Sequence, residues 1–121
     1  MQYAHARICS ILRSAEERGV PLPQVTQANL ELLGEPDELA LMRKLGELPD
    51  EIAQAAVRYE PHRMTRYARE LAATFHGFYT NCRVLSDDPA LTAARLSLVT
   101  AARIVLGLVL HIVGVSAPER M

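Results

Sequence analysis

The chain has 121 residues, half of them apolar, with 13 Lys/Arg set against 14 Asp/Glu. That is enough apolar material for one core and too little for two domains of ordinary stability. Two cysteines exclude a disulfide framework, and a net charge of -1 excludes a chain uniformly of one sign.

Ala4, Ile8, Ile11, Leu12 and Ala15 recur at intervals of three and four, which predicts a first helix over residues 3–18. Gly19 accepts a reversed backbone dihedral and Pro21 cannot continue the hydrogen-bond ladder, so the helix ends there. Residues 20–35 read as a connector with one or two helical turns around residues 29–33. Asp37 is expected to cap a helix containing Leu39, Met42 and Leu45, which Gly46 stops. Pro49, Asp50 and Glu51 give the next helix a rigid, negatively charged first turn, leading into Ile52, Ala55, Ala56 and Tyr59. Pro61 opens a further helix in the same way.

Residues 61–85 carry the clearest helical pattern. At about 100° per residue, Met64, Tyr67, Ala68, Leu71, Phe75, Phe78 and Cys82 share one side. His62, Arg66, Arg69, His76 and Arg83 occupy the other, and Tyr79 sits at the border one turn before Arg83. Asp88 is a candidate cap for a last helix opened by Pro89. In that helix Leu91, Ala94, Leu98, Ala101, Val105, Leu108 and Ile112 mark a stripe, and further apolar sides predict a central helix surrounded by neighbours. Gly107 is the expected point of a close crossing. Polar and apolar residues nowhere alternate at the period of a strand over a useful length. The expected fold is an all-α compact helical bundle formed by residues 1–121 as one domain.

Residues 1–57 hold five Lys/Arg against nine Asp/Glu, whereas residues 58–121 hold eight against five. Positive potential collected on one face attracts phosphate even when total charge is near zero, so a nucleic-acid partner, if there is one, is expected to meet the second half. A merely solvated charge distribution is the competing reading. No basic leader precedes an apolar segment, so no secretion signal is expected. The apolar stretch of residues 96–115 is broken by Thr100, Arg103 and His111. Its uninterrupted part, residues 104–110, is far shorter than the roughly 20 residues that cross hydrocarbon, and the stretch reads as a core helix rather than a membrane span.

Cys9 and Cys82 are expected to be free, partly buried thiols of a cytoplasmic protein. His5, His62, His76 and His111 cluster with neither cysteines nor carboxylates, so no metal site is assigned. A glycine-rich phosphate loop, an HExxH helix and a local nucleophile motif are missing. Asp87 and Asp88 precede Pro89 and suit a turn and cap. His76, with no nucleophile or orienting carboxylate one turn away, reads as a solvated-face residue. No catalytic or cofactor-binding residue is assigned.

What remains is a surface suited to phosphate and an unstacked base. A guanidinium offers paired donors to phosphate, and an aromatic ring stacks on an exposed loop base for roughly 1–3 kcal/mol. Tyr79 with Arg83 supplies both groups, although periodicity alone favours a core-edge role for Tyr79.

The opening Gln2-Tyr3-Ala4-His5-Ala6-Arg7-Ile8-Cys9-Ser10-Ile11 resembles the junction segment of the C-terminal DALR anticodon-binding domain of arginyl-tRNA synthetases. Leu48-Pro49, Tyr59-Glu60-Pro61-His62-Arg63, Phe75, Phe78-Tyr79 and Cys82-Arg83-Val84-Leu85 are similar to the middle of that pattern. Ala94-Arg95-Leu96, Ala102-Arg103, Val105-Leu106 and Pro118-Glu119-Arg120-Met121 complete it, so the likeness spans essentially the whole chain.

The resemblance implies an all-helical domain of a class I aminoacyl-tRNA synthetase that binds the anticodon stem-loop of tRNA-Arg. Carried over, Tyr3, Arg7, Tyr79, Arg83 and Met121 form the RNA-facing surface. Loss of charge at Arg83 should then weaken binding more than loss at Arg18. Arg95 and Arg103 read as helix-packing anchors rather than RNA contacts. Neither an HIGH nor a KMSK-like segment occurs, so the chain itself is not expected to be an enzyme or to hold a cofactor. ATP and arginine activation are expected in an upstream catalytic domain, and a start at Gln2 after an initiating methionine reads as a piece of a longer ligase. Neither a membrane nor DNA is an expected partner. The alternative is a nonenzymatic protein-interaction bundle related to the same domain, distinguished by an exposed apolar patch on the last helix instead of a cationic groove.

Overall fold

Asp88 starts the longest helix by accepting from the backbone N–H groups of Ala90 and Leu91, with Pro89 in the first helical position where its missing donor costs nothing. The computed structural model describes residues 2–20, 30–60 and 62–114. Among them the order is α1 (Gln2–Glu17), a 3-10 turn (Leu30–Leu32), α2 (Pro36–Gly46), α3 (Leu48–Arg58), α4 (His62–Asn81) and α5 (Pro89–Ile112), with no strand. Pro61, Met121 and most of the predicted connector lie outside the described residues.

α1 closes at Gly19, which takes the left-handed φ of 72° that the sequence requires of it. One cap differs from expectation. α2 begins at Pro36 with Glu35 as its cap, and Asp37 is already inside the helix. Glu35 and Glu38 form a reciprocal capping box, in which the Glu35 N–H donates to Glu38 Oε1 at 2.9 Å. A cap pattern with glutamate in both positions is easily passed over beside the more usual aspartate.

The core lies between α1, α4 and α5, with α2 closing one side against α4 and α5. Met64, Tyr67, Ala68, Leu71, Phe75 and Phe78 are all buried along α4, as its period predicts. Each large side chain removed from water in this way contributes about 1.5–3 kcal/mol before entropy is counted. The Tyr67 hydroxyl avoids a buried orphan by donating to the Lys44 carbonyl at 2.5 Å. Burial and the charges of Glu47 and Glu51 push its pKa up to about 12.

α4 stops at Asn81, four residues earlier than expected. Cys82 and Val84 are nonetheless buried while Arg83 between them is exposed, an in-out-in alternation of non-helical chain. Cys82 satisfies the helical period and this alternation equally, so the pattern did not reveal the change. Cys9 and Cys82 are buried and not disulfide-bonded.

α5 is long and apolar enough to cross a membrane by length and composition, yet more than half of its apolar window is buried in the bundle. Its core face is Ala94, Leu98, Val99, Ala102, Leu106, Val109 and Leu110. Leu108 and Ile112, placed on the core stripe by their spacing, are exposed together with Ile104. A helix with apolar residues all round does not announce which side its neighbours cover. Gly107 does mark the crossing with α1: a Cβ there would meet the His5 ring at 3.5 Å, an ordinary contact rather than a clash.

Candidate nucleic-acid interface

Along α1, Tyr3, Arg7, Ser10 and Ser14 recur at intervals of four, three and four, which places them on one face. The opposite face buries Ala4, Ile8 and Ala15 against the core. The polar face of α1 therefore borders a groove of about 900 Å³, whose other wall is the end of α4 and the chain leaving it. Tyr79 and Arg83 stand on that second wall.

At one end of the groove the Arg7 guanidinium lies between two rings, 4.8 Å from the Tyr3 centroid and 4.4 Å from that of Tyr79. Arg7 also donates to the Tyr3 hydroxyl. That hydrogen bond is the main reason its pKa is raised further above its already high ordinary value. Cation over ring is the arrangement expected of a guanidinium beside electron-rich faces. His76 stacks on the far side of the cluster, its ring 5.8 Å from Tyr3 at an interplanar angle of 29°. Burial, followed by the Arg7 charge, holds His76 below the usual histidine range. It is half-buried and stacked, not the freely solvated histidine that its place on the cationic arc implied.

Tyr79 packs at the core edge and still presents part of its ring to the groove. Its ring lies 6.2 Å from that of the buried Phe75, and 39% of the residue is exposed. Tyr3 is 50% exposed. The structure thus brings Tyr3, Arg7, Tyr79 and Arg83 to one groove, while Met121 lies outside the described residues. Arg83 reaches it from beyond the helix end. Its backbone is held by Arg95, whose Nη1 donates to the Arg83 carbonyl at 2.7 Å.

One expectation about charge needs correction. Among the described residues the groove is lined by four arginines and no carboxylate, and three of the four, Arg7, Arg13 and Arg18, come from the acidic half of the sequence. Helix faces sort charge, so a count over halves of the chain misses the cationic face of α1. Arg18, which the sequence ranks below Arg83 as a contact, also lines the groove. The spacing of Tyr3, Arg7, Ser10, Ser14 and Arg18 was the available signal. The cationic arc of α4 contributes less: Arg66 leans toward Glu70 at 3.8 Å, and neither it nor Arg69 lines the groove.

Arg95 is the packing anchor expected of it, whereas Arg103 is exposed. Among the described residues no group of three or more His, Cys, Asp or Glu could hold a metal ion.

The pattern of the DALR anticodon binding domain family matches residues 1–121. The chain belongs to that family. It is 58% identical over its whole length to the arginine–tRNA ligase of Moorella thermoacetica and covers 22% of that protein. Against the arginine–tRNA ligase of Heliobacterium modesticaldum the identity is 59% over 125 residues, again covering 22% of the relative. Among solved structures, the arginyl-tRNA synthetase of Thermus thermophilus superposes with a TM-score of 0.83 at 34% identity, over 99% of this chain and 20% of that one. This DALR domain thus spans about a fifth of the length of the relatives it matches.

Proposed function

We propose that this DALR domain, acting as one module over residues 1–121, binds the anticodon stem-loop of tRNA-Arg. It thereby supports arginine attachment by the catalytic domain of a longer arginine–tRNA ligase in the cytoplasm. The observation that carries the reading is the Arg7 guanidinium held between Tyr3 and Tyr79 at one end of a groove that has no carboxylate among the described residues lining it. Exposed phenol rings offer stacking planes to unpaired loop bases, and Arg7 and Arg83 offer donors to phosphate. Met121 is the fifth proposed contact, an unbranched thioether side chain able to lie against a base.

ATP and arginine activation belong, in this reading, to the catalytic domain, and the present residues hold only RNA. The chemistry of the lining fits that division: guanidinium, hydroxyl and phenol groups suit a phosphodiester strand, and DNA is not an expected ligand. The protein-interaction alternative has Ile104, Leu108 and Ile112 in its favour, but they lie on α5, which contributes nothing to the groove.

The test is a titration of the 121-residue chain with tRNA-Arg and with an anticodon-altered tRNA-Arg, repeated across salt concentration. Binding should weaken steeply with salt, and preference for the unaltered tRNA should persist after nonspecific binding is lost. Equal affinity for both at every salt concentration would overturn anticodon recognition.

A further inference from the structure

At the other end of α4 from the groove, the bundle leaves an apolar surface open. A hollow of about 480 Å³ between α3, the first turn of α4 and the end of α5 is lined by Ile52, Ala55, Ala56, Met64, Ile112 and Val113. Among the described residues its lining holds neither a carboxylate nor a Lys/Arg, and its polar members are one histidine and one threonine. From Ile112 an exposed row runs back along α5 through Leu108 to Ile104 at intervals of four. Tyr59 follows Ala55 and Ala56 by about one turn, 91% exposed and in the left-handed region at φ 54°. Backbone strain kept at an exposed aromatic residue points to a contact outside the domain. Met64 and Tyr79 lie fifteen residues apart on α4, about 22 Å at the helical rise, so an occupant of the hollow leaves the groove open to RNA.

We infer that this face docks the catalytic part of the longer ligase. The inference rests on the ligase reading, in which about four fifths of each relative's length lies outside the match. The fold says where that polypeptide arrives. His5 faces Gly107, while Ser14 and Arg18 toward the other end of α1 border Val84 and Leu85, just before α5 begins, so α1 and α5 run antiparallel. Gln2 therefore stands about one turn past Gly107, and the chain of an upstream catalytic domain enters beside Leu108 and Ile112. Size argues against a separate partner. Interfaces between separate chains use about 20–30 residues a side, far more than three exposed side chains and one hollow supply. A tethered domain acts at an effective concentration of roughly millimolar, so a smaller surface holds it.

Hydroxyl-radical footprinting of the 121-residue chain and of the full-length ligase that carries it tests the docking. In the full-length protein Tyr59, Leu108 and Ile112 should be oxidised about fivefold more slowly, as exposed side chains enter a packed interface, while the exposed Leu32 of the 3-10 turn keeps its rate. Equal rates in the two proteins overturn the docking. Protection that appears only with tRNA, or that rises with the concentration of the 121-residue chain, overturns it too, by assigning the face to RNA or to a second copy. Leu108→Gln combined with Ile112→Gln falls on half-exposed positions, which the fold tolerates. In the ligase this pair should return Tyr59 to its rate in the isolated domain, and in the 121-residue chain it should leave affinity for tRNA-Arg unchanged. A Tyr59 still protected in the double variant sinks the assignment. Failure of the 121-residue chain to discriminate between tRNA-Arg and its anticodon-altered form removes anticodon recognition alone, and the footprint stands or falls separately.

Discussion

Glu38 and Arg95, 57 positions apart, join the start of α2 to α5 through a buried ion pair with Arg95 Nε 2.7 Å from Glu38 Oε2. The Glu38 side chain is fully buried, and both of its oxygens are used, Oε1 by the Glu35 N–H and Oε2 by Arg95. Arg95 extends the connection to the groove by donating to the Arg83 carbonyl. One carboxylate thus caps a helix, neutralises a buried cation and, through that cation, fixes the wall that carries Arg83.

Removing one partner of such a pair leaves the other charged and unpaired, which costs about 3–5 kcal/mol. Glu38→Ala should therefore destabilise the domain by that amount in denaturant unfolding. Arg95→Lys keeps the charge but cannot span both acceptors, so it should lose less stability while still loosening the chain around Arg83. Hydrogen exchange at residues 82–85 measures the second effect, and unchanged exchange in Arg95→Lys would count against this positioning role.

Tyr79→Ala removes a stacking plane from the groove and should weaken tRNA-Arg binding by about 1–3 kcal/mol, with a smaller loss on an anticodon-altered tRNA. Tyr79→Phe keeps the ring and its contact with Phe75 and should bind nearly as well. Parallel titrations of the two variants decide this, and equal losses would shift the role from the ring to the hydroxyl.

His76 is held below its ordinary value of 6.5, first by burial and then by Arg7. The unfolded chain therefore takes up the proton at a higher pH than the folded one. Stability is complete above about pH 6.5 and declines as pH falls through that value toward the depressed folded one. Arg7 and Tyr3 face the ring from α1, and the Arg7 charge opposes protonation throughout. Between about pH 7.5 and about pH 5.5, urea unfolding should show a loss of stability that His76→Gln reduces. An identical pH dependence in the variant would remove His76 as a source.

Tyr59 ends α3 in the left-handed region, φ 54° and ψ 46°, with 91% of the residue exposed. The conformation suits glycine and strains a side chain that stands almost wholly exposed. Tyr59→Gly should raise stability by about 0.5–1 kcal/mol, after allowance for the freer unfolded chain. Thermal unfolding tests this, and a destabilised variant would mean that the tyrosine is held by contacts worth more than its backbone strain.

The helices were legible because their signals are local. Gly19, the Pro49-Asp50-Glu51 turn, the Asp88-Pro89 start and the three-and-four spacing of α4 act within one turn of the chain, and each governs the element expected of it. The end of α4 was not legible, since Cys82 is buried in either conformation. The exposure of Leu108 and Ile112 on α5 was equally hidden, because apolar residues surround that helix.

Family membership, too, was carried by the order of residues along the chain, beginning with Gln2-Tyr3-Ala4-His5-Ala6-Arg7. The groove needed the tertiary structure. Packing α1 beside the end of α4 brings Arg7 between Tyr3 and Tyr79, and turns Arg13 and Arg18 toward Arg83, across more than 60 residues of sequence. Local pattern tells each helix which face to bury. Which exposed faces then adjoin is decided by the angles at which buried ones pack, and those depend on side chains distant in sequence.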